Sequence, residues 1–303
     1  MNKKYTIAIG IPAHNESANI ARLLKSIQFQ MVNDMFTLKK IIVACDGCTD
    51  NTNLIVKDFI KKDKRISLID DGERLGQSGR LNNFYRILKE DIFITFDADT
   101  KLANRNVVYE IVKQFIDESV MLVGGNDTPD IPRNFIEKIG SVWVEAWYMM
   151  RYKINGGDTV HNHKGCVSAG RLSFLRSLNI PKDVFANDDY LYFSCKEAGY
   201  KFKFADKAVV YYKIPSNFND YMFQTTRFLN LKHRIPKYFG NKVYDSYRIP
   251  ITNKIYGILR ELIKEPFYMT VAILMQLLLR ITKNLYLDKY RGVSWREIKS
   301  SKI

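Results

Sequence analysis

An apolar run at residues 92–96 ends directly in two aspartates, Asp97 and Asp99, which are separated by one alanine. The run is rich in β-branched and aromatic residues, which predicts a short buried strand. Carboxylates at the end of a buried strand are costly unless a partner compensates their charge, and their hard oxygens suit Mg²⁺ or Mn²⁺. A pair of solvated aspartates is the plainer interpretation of these residues taken alone, so the neighbouring segments decide between the two.

Earlier predicted strands also end in polar loops. Residues 5–11 predict a first strand, followed by a helix that Ser17 or Asn15 would cap. Residues 40–45 predict a second strand that ends at Asp46, whose carboxylate suits a base N–H or a ribose hydroxyl. Because open α/β sheets bind ligands beyond the carboxyl ends of their strands, these segments predict a nucleotide-binding α/β fold.

A glycine-containing segment at residues 76–83 follows a third predicted strand at residues 66–69 and opens a helix. Glycines before a helix let backbone N–H groups approach a phosphate, and Arg80 would add positive charge there. An ordinary helix start is the alternative interpretation of this segment.

Two further candidate groups lie in the second half of the chain. Asp188 and Asp189 open a predicted helix, where they either stabilise its N-terminus or supply a general base for a hydroxyl group. Gln224 and Arg227 lie three residues apart in another predicted helix and therefore face the same side. The forked guanidinium of arginine suits a diphosphate.

Cysteine and histidine pairs offer alternatives that the sequence leaves open. Cys45 and Cys48 form a C-x-x-C pair after a strand, but we favour a loop leading into a helix over a redox site. His161 and His163 could form a metal pair, contact an acceptor, or have no role. Four cysteines are too few for a disulfide scaffold, and we expect a cytoplasmic protein without a signal peptide.

Positive charge is concentrated at the C-terminal end. The chain has a net charge of +15, and residues 231–303 hold 15 Lys and Arg against 5 Asp and Glu. Residues 251–264 predict an amphipathic helix, and an apolar run at 267–279 is short for a membrane crossing. We expect peripheral contact with an anionic membrane, and the alternative is a helical hairpin packed on the catalytic domain or on a second copy. The residues behind these expectations are Ile255, Ile258, Leu259, Leu262 and Ile263 on the apolar face, and Arg280, Lys283, Lys289 and Arg291 after it.

Taken in order, these segments resemble the motifs of family 2 glycosyltransferases, which have the GT-A fold, across about residues 5–235. The matching segments are P-x-x-N-E at 12–16, D-D-G-S-T-D at 45–50, G-K-x-x-A-L-N at 76–82, D-x-D at 97–99, G-x-x-x-x-x-R at 165–171, Glu-Asp at 188–189 and Q-x-x-R-W at 224–228. The departures from these motifs include Cys45, which replaces an Asp, Gln77, which replaces a Lys, and Phe228, which replaces a Trp.

The resemblance implies roles for particular residues. Those expected to bind the nucleotide sugar are Pro12, Asn15, Glu16, Asp46, Arg80, Asp97, Gln224 and Arg227. Asp97 and Asp99 would hold the metal ion, and Asp189, with Asp188 beside it, would be the catalytic base.

The resemblance also implies a mixed, mainly parallel, Rossmann-like sheet flanked by helices, with a C-terminal helical extension. We expect a catalytic domain at 1–235, with a nucleotide-binding half at 1–100 and an acceptor half at 101–235, and the extension at 236–303. The implied reaction is inverting transfer from a nucleotide-diphosphate sugar, with a UDP-sugar expected, in cell-surface polysaccharide or glycolipid synthesis. It would use Mn²⁺ or Mg²⁺ and a glycan or lipid-linked acceptor, and the C-terminal helices could join two copies.

Two other classes of protein are weighed against this one. A sugar nucleotidyltransferase can share the architecture, but the glycine-rich loop with arginine that its chemistry uses is not found after the first predicted strand. A basic nucleic-acid-binding protein would fit the net charge, but the basic residues concentrate outside the predicted nucleotide fold and no recognised motif is present. We therefore expect no nucleic-acid partner.

Overall fold

The computed structural model describes residues 4–231, 235–287 and 300, and gives the backbone alone for 228–231 and 282–287. The strands are β1 (Tyr5–Ala13), β2 (Phe36–Cys45), β3 (Ile66–Ile69), β4 (Ile92–Phe96), β5 (Lys101–Leu102), β6 (Val120–Pro129), β7 (Val167–Arg171) and β8 (Lys201–Tyr212). The α-helices are α1 (Ile20–Gln28), α2 (Thr52–Lys62), α3 (Gly76–Ile87), α4 (Val107–Val112), α5 (Phe135–Arg151), α6 (Leu172–Leu175), α7 (Asn187–Glu197), α8 (Phe218–Leu231), α9 (Pro236–Phe239), α10 (Val243–Ser246), α11 (Ile251–Lys264) and α12 (Pro266–Leu287). The side chains of Phe228, Lys283, Lys289 and Arg291, which the sequence-based expectations include, lie outside the described residues.

The chain forms two compact units that alternate along the sequence. The first consists of Met1–Asp127 and His163–Tyr211, and the second of Thr128–Asn162 and Tyr212–Ile303. The sequence-based boundaries at residues 100 and 235 divide the chain differently. The catalytic domain, its two halves and the C-terminal extension that they separate stay a prediction.

The strands form one mixed sheet in the order β3-β2-β1-β4-β7-β6-β8-β5. Neighbours among β3, β2, β1 and β4 are parallel, whereas β7 runs antiparallel to both β4 and β6, and β5 runs antiparallel to β8. The parallel half places the carboxyl ends of β1, β2 and β4 at one edge of the sheet. This confirms the α/β fold with a mixed sheet and helices that the sequence predicts.

The core of the first unit lies between the sheet and the helices α1, α2 and α4. Alternate residues of β1 point into it, as expected for a strand whose side chains alternate between faces. The apolar residues of α1 recur at helical spacing, and all of them are fully buried in this core. The buried residues on these two elements are Ile7, Ile9, Ile11, Ile20, Leu23, Leu24 and Ile27.

The opposite face of the sheet is shaped by a close contact at Gly10. A β-carbon on Gly10 would lie 2.5 Å from Cε2 of Phe93 and 2.9 Å from Cδ2 of Phe84. The aromatic rings therefore occupy the space that a side chain on β1 would need. Phe84 belongs to α3, so this contact sets how closely α3 approaches the sheet.

The second unit has a separate core built from helices. Helices α5, α8, α11 and α12 contribute to it, and α11 approaches α5 so closely that a β-carbon on Gly257 would lie 2.6 Å from the carbonyl oxygen of Ala146. The predicted C-terminal helices thus pack as a hairpin on α5 and α8. The buried residues are Ile139, Val142, Ala146, Met150, Ile214, Tyr221, Met222, Ile249, Met269, Ala272, Met275 and Leu279.

Two local predictions are wrong. Asn19, not Ser17 or Asn15, precedes α1, and its side chain makes no capping hydrogen bond. The predicted apolar face of α11 is divided, because Ile258 packs against the helical core while Ile255, Leu259 and Ile263 are at least half exposed. The apolar run after Pro266 belongs to α12, which continues to Leu287.

None of the helices in the described part of the chain combines the length and the apolar character needed to cross a membrane.

Candidate functional site

Asp97 and Asp99 lie in a tight turn directly after β4. Both are half-buried, and the turn is held by the hydroxyl of Thr100, which donates to the carbonyl oxygen of Asp97 at 2.7 Å. The guanidinium of Arg22 donates to the carbonyl oxygen of Asp99 at 2.7 Å. The amide of Asp97 donates to the carbonyl oxygen of Cys166 at 3.3 Å. Backbone contacts therefore fix the turn that carries the two carboxylates.

Gln77, in the first turn of α3, contacts the first of these carboxylates. Its side-chain amide donates to Oδ1 of Asp97 at 2.9 Å. A β-carbon on Gly165 would lie 3.7 Å from Oδ2 of Asp97 and 3.9 Å from Nε2 of Gln77, so the backbone before β7 borders the same pair. Gln77, which replaces a Lys of the family motif, is thus a direct partner of Asp97.

Four carboxylates lie within electrostatic reach of the thiol of Cys166. Desolvation raises the pKa of this thiol well above its usual value, and the nearby negative charges raise it further. The carboxylates belong to Asp97, Asp99, Asp127 and Asp188. Carboxylates that follow β4, lie near the end of β6 and open α7 therefore all act on the same thiol.

Asp188 and Asp189 lie in the first turn of α7, as predicted, and both are half-buried. The residue before the helix is Ala186, which provides no side-chain cap. The buried ring of His163 instead contacts the start of the helix, since its Nδ1 lies 2.7 Å from the carbonyl oxygen of Asp188. The helix start is thus attached to the segment that precedes β7.

Asp46 is buried at the end of β2 and forms an ion pair with Arg80 of α3. Its Oδ1 accepts from Nε of Arg80 at 3.0 Å and from the amide of Leu75 at 2.7 Å, and its Oδ2 accepts from the amide of Gly76 at 3.0 Å. The Arg80 guanidinium also donates to both oxygens of Asp71 at 2.8 Å. Asp46 and Arg80 thus fold the loop before α3, and their predicted contact with the nucleotide sugar stays a prediction that this geometry does not favour.

The predicted loop after β1 is shaped by its own side chains. Pro12 is buried within β1, and Asn15 has a φ of 52° in the left-handed region. The side-chain oxygen of Asn15 accepts from the amide of Thr49 at 2.8 Å, and Oε2 of Glu16 accepts from the Asn19 amide group at 2.9 Å. The loop is therefore joined to the segment after β2, and its contact with a nucleotide stays a prediction.

Gln224 and Arg227 lie on α8, in the second unit, and both are half-buried. Their spacing places them on one side of that helix, as predicted. Their relation to the carboxylates of the first unit stays a prediction.

The cysteine and histidine pairs make contacts within the protein. Hydrogen bonding between the thiols raises the pKa of Cys45 and lowers that of Cys48, and both residues remain thiols. Both ring nitrogens of His163 are engaged inside the first unit, and Nε2 of His161 lies 3.1 Å from the carbonyl oxygen of Tyr247 in the second. This geometry does not favour the metal pair.

The oxygen atoms of Asp97 and Asp99 are the ligand type that Mn²⁺ and Mg²⁺ prefer. Within the described residues, His, Cys, Asp and Glu form no group of three or more that could enclose a metal ion. Mg²⁺ sites that act on phosphates commonly use only one or two carboxylates together with the phosphate oxygens of the substrate. The donor set therefore fits an ion that binds with its substrate.

Sequence reasoning missed Asp127 and underrated Gln77. Strand β6 continues to Pro129 and carries Asp127, whose charge acts on the Cys166 thiol together with those of Asp97, Asp99 and Asp188. The run Val123–Asp127 ends in polar residues, which is the signal that identified Asp46 and Asp97. Gln77 was noted only as a departure from a motif, because its contact depends on the approach of α3 to β4.

Comparison with known proteins identifies relatives of the chain. The model of Glycosyl transferase family 2 matches residues 8–179. "Glycosyltransferase AglD" of Haloferax volcanii is 29% identical over 97 residues, which are 31% of this chain and 15% of that protein. The chain thus spans a small part of the length of this curated relative.

Solved structures resemble the fold at low sequence identity. The mannosyltransferase PcManGT from Pyrobaculum calidifontis, in complex with GDP-Man and Mn²⁺, is 18% identical with a TM-score of 0.59, covering 96% of this chain and 82% of that one. Glucosyl-3-phosphoglycerate synthase from Mycobacterium tuberculosis, with Mn²⁺, UDP and glucosyl-3-phosphoglycerate, is 16% identical with a TM-score of 0.50, covering 78% and 80%. Because the family model covers more than half of the 303 residues, the chain belongs to glycosyl transferase family 2.

Proposed function

We propose that the protein is an inverting glycosyltransferase that moves a sugar from a nucleotide-diphosphate sugar to an acceptor hydroxyl. The observation that carries this proposal is the turn after β4, which holds the half-buried carboxylates of Asp97 and Asp99 while Gln77 donates a hydrogen bond to Asp97. Membership of the family supports it, as do fold neighbours whose structures contain Mn²⁺ with GDP-Man or with UDP.

Asp97 and Asp99 would hold a divalent cation, Mn²⁺ or Mg²⁺, together with the donor. The cation, when bound, supplies a Lewis acid that neutralises the departing diphosphate. Asp97 is held in place by Gln77, which keeps one of its oxygens hydrogen-bonded while the turn after β4 fixes the backbone. The donor would also contact the loop formed by Pro12, Asn15 and Glu16.

Asp189 would act as the general base. It takes the proton of the acceptor hydroxyl while the acceptor oxygen forms a bond to the anomeric carbon and the bond from that carbon to the diphosphate oxygen breaks. One displacement from the opposite face inverts the anomeric centre. Asp188, Gln224 and Arg227 would lie near the acceptor and the diphosphate, and a UDP-sugar is the proposed donor.

We further propose peripheral contact between the second unit and an anionic membrane, where a glycan or lipid-linked acceptor for cell-surface polysaccharide or glycolipid synthesis would be found. Four apolar residues of α11 at four-residue spacing are at least half exposed: Ile251, Ile255, Leu259 and Ile263. Exposed apolar residues continue on α12 with Phe267, Leu274, Leu277, Leu278 and Ile281. The exposed apolar face would enter the lipid surface, and the net charge of +10 over residues 231–303 would attract anionic lipids on the cytoplasmic side.

Vesicle flotation tests the membrane proposal on the full chain. The wild type should float with phosphatidylglycerol vesicles and less with phosphatidylcholine vesicles, while the triple variant Ile255→Ser, Leu259→Ser and Ile263→Ser should remain unbound. Equal recovery of both proteins would contradict it. A wild type that elutes as a dimer while the triple variant elutes as a monomer would assign the surface to a second copy.

The experiment that tests the enzymatic proposal is a screen of UDP- and GDP-sugars for turnover with Mn²⁺, Mg²⁺ or EDTA. We expect turnover of at least one donor, its loss with EDTA, and its recovery on adding Mn²⁺ or Mg²⁺. Asp189→Asn should abolish transfer while the donor still binds. An active Asn variant would remove Asp189 from the role of base, and full turnover in EDTA would remove the cation.

A further inference from the structure

His163 is a fully buried imidazole with a partner at each nitrogen. Nδ1 lies 2.7 Å from the carbonyl oxygen of Asp188, and Nε2 lies 2.7 Å from the hydroxyl oxygen of Ser168. A carbonyl oxygen only accepts hydrogen bonds, so Nδ1 carries the proton and Nε2 accepts from the Ser168 hydroxyl. Burial lowers the pKa of His163, which favours the neutral ring that this arrangement needs.

The Ser168 end of this chain of hydrogen bonds is anchored in the sheet. Ser168 lies in the middle of β7, opposite Thr95 of β4 on one side and Gly124 of β6 on the other. The ring of Phe202 packs edge-on against the imidazole at 5.6 Å between centroids. The imidazole is therefore fixed by paired strands and by packing, and little freedom is left for it to move.

The Asp188 end lies in the first turn of α7, which also carries Asp189. Because Ala186 offers no side-chain cap, the hydrogen bond from His163 is a side-chain attachment of this turn to the sheet. A shift of the first turn would move the carboxylate of Asp189 by a similar distance, and misplacement of a catalytic group by ~1 Å can cost about a hundredfold in rate.

We propose that His163 is a positioning residue that holds the first turn of α7, and with it the carboxylate of Asp189, at a fixed distance from the sheet through Ser168. This inference rests on the proposed function, because it assigns Asp189 as the base. His163 itself neither touches the sugar donor nor moves a proton in the reaction.

Two substitutions of nearly equal size separate this role from a general packing role. In His163→Asn the side-chain amide nitrogen reaches the place of Nδ1 and can still donate to the carbonyl oxygen of Asp188. In His163→Gln the amide nitrogen reaches the place of Nε2, so contact with Ser168 is kept and the bond to Asp188 is lost. Ser168→Ala removes the anchor and leaves the imidazole.

The measurement is turnover of UDP-glucose and GDP-mannose with Mn²⁺, together with hydrogen exchange of a peptide covering 187–193. His163→Gln should lower kcat by roughly a hundredfold with the donor KM unchanged, and should speed exchange at the start of α7. His163→Asn should stay within about threefold of the wild type in kcat, a change worth less than ~1 kcal/mol, and should leave exchange unchanged. Ser168→Ala should fall between the two.

Two results would overturn the proposal: unchanged exchange at the start of α7 in His163→Gln, or an equal loss of kcat and of donor affinity in both His163 variants. The Asp189→Asn variant separates its failure from that of the proposed function. If Asp189→Asn stays active, the assignment of the base fails; if Asp189→Asn is inactive and His163→Gln is as active as the wild type, only the role of His163 fails.

Discussion

The side-chain amide of Gln77 donates a hydrogen bond to Oδ1 of Asp97 at 2.9 Å, and this joins the first turn of α3 to the turn after β4. A hydrogen bond to a charged group is worth about 1.5–3 kcal/mol. The contact therefore fixes the orientation of a carboxylate that the proposed function places at the cation.

Substitution of Gln77 should weaken donor binding in a charge-dependent order. Gln77→Leu removes the hydrogen bond, and we expect the affinity for UDP or GDP with Mn²⁺ to fall about tenfold, which is ~1.4 kcal/mol. Gln77→Glu also loses the donated hydrogen bond and places a second negative charge beside Asp97, so the affinity should fall further than in Gln77→Leu. Calorimetric titration at pH 6 and pH 8 checks both, and a Gln77→Leu variant that binds like the wild type would contradict the role of this contact.

Arg80 should matter for stability before it matters for binding. Its guanidinium is fully buried between Asp46 and Asp71, and removal of one partner from a buried ion pair costs about 3–5 kcal/mol. We expect Arg80→Ala to lower the free energy of unfolding by that amount in urea titrations. The matched control is Arg86→Ala on the exposed side of the same helix, which should change it by less than ~0.5 kcal/mol.

Glu145 should make the protein less stable as the pH rises. Burial and then the negative charge of Glu261 raise the pKa of Glu145 above its usual value of 4.5. The folded state therefore keeps a proton that the unfolded state has lost, so stability is greatest below pH 4.5 and falls as the pH rises through the folded-state pKa.

Glu145→Gln should remove that loss. We expect its melting temperature to exceed that of the wild type at pH 7 and the difference to shrink at pH 4. The control is Glu197→Gln at an exposed position. Its melting temperature should differ little from that of the wild type at both pH 7 and pH 4. A Glu145→Gln variant that melts below the wild type at pH 7 would contradict the claim that desolvation of this carboxylate costs stability.

Gly10→Ala should destabilise the first unit by overpacking. A β-carbon would lie 2.5 Å from the ring of Phe93, and extra atoms in a well-packed core cost about 1–3 kcal/mol. Phe93→Leu should partly relieve the clash, so the double variant should be more stable than the sum of the two single changes predicts. Strict additivity in urea titrations would show that the ring does not limit the site.

Much of the fold could be predicted because its signals are local. The stripe on α1 and the apolar run of β4 follow directly from periodicity and composition. The division of the α11 face could not be predicted, since both of its sides are apolar and only the approach of α5 and α12 decides which side is buried.

The site was predictable where a carboxylate follows a strand. Asp97 and Asp99 were found in this way, and Asp188 was found because it opens a predicted helix. These three carboxylates and that of Asp127, which was missed, all raise the pKa of the Cys166 thiol. The ion pair between Asp46 and Arg80 could not be foreseen, because the partners are 34 residues apart and meet only when α3 closes over the end of β2. The sequence shows which charged side chains follow a strand or open a helix. Tertiary packing decides whether such a side chain faces a ligand or pairs with another residue.

The most direct measurement is calorimetric titration of UDP and GDP against the wild type, with Mn²⁺ and with EDTA, and against the double variant Asp97→Asn and Asp99→Asn. Asp58→Asn, an exposed change on α2, is the control. We predict binding of at least one nucleotide that requires Mn²⁺ and that falls at least about tenfold, ~1.4 kcal/mol, in the double variant at an unchanged melting temperature. Equal affinity in EDTA, or equal affinity of the double variant and the wild type, would contradict the claim that these two carboxylates hold a cation and the donor diphosphate.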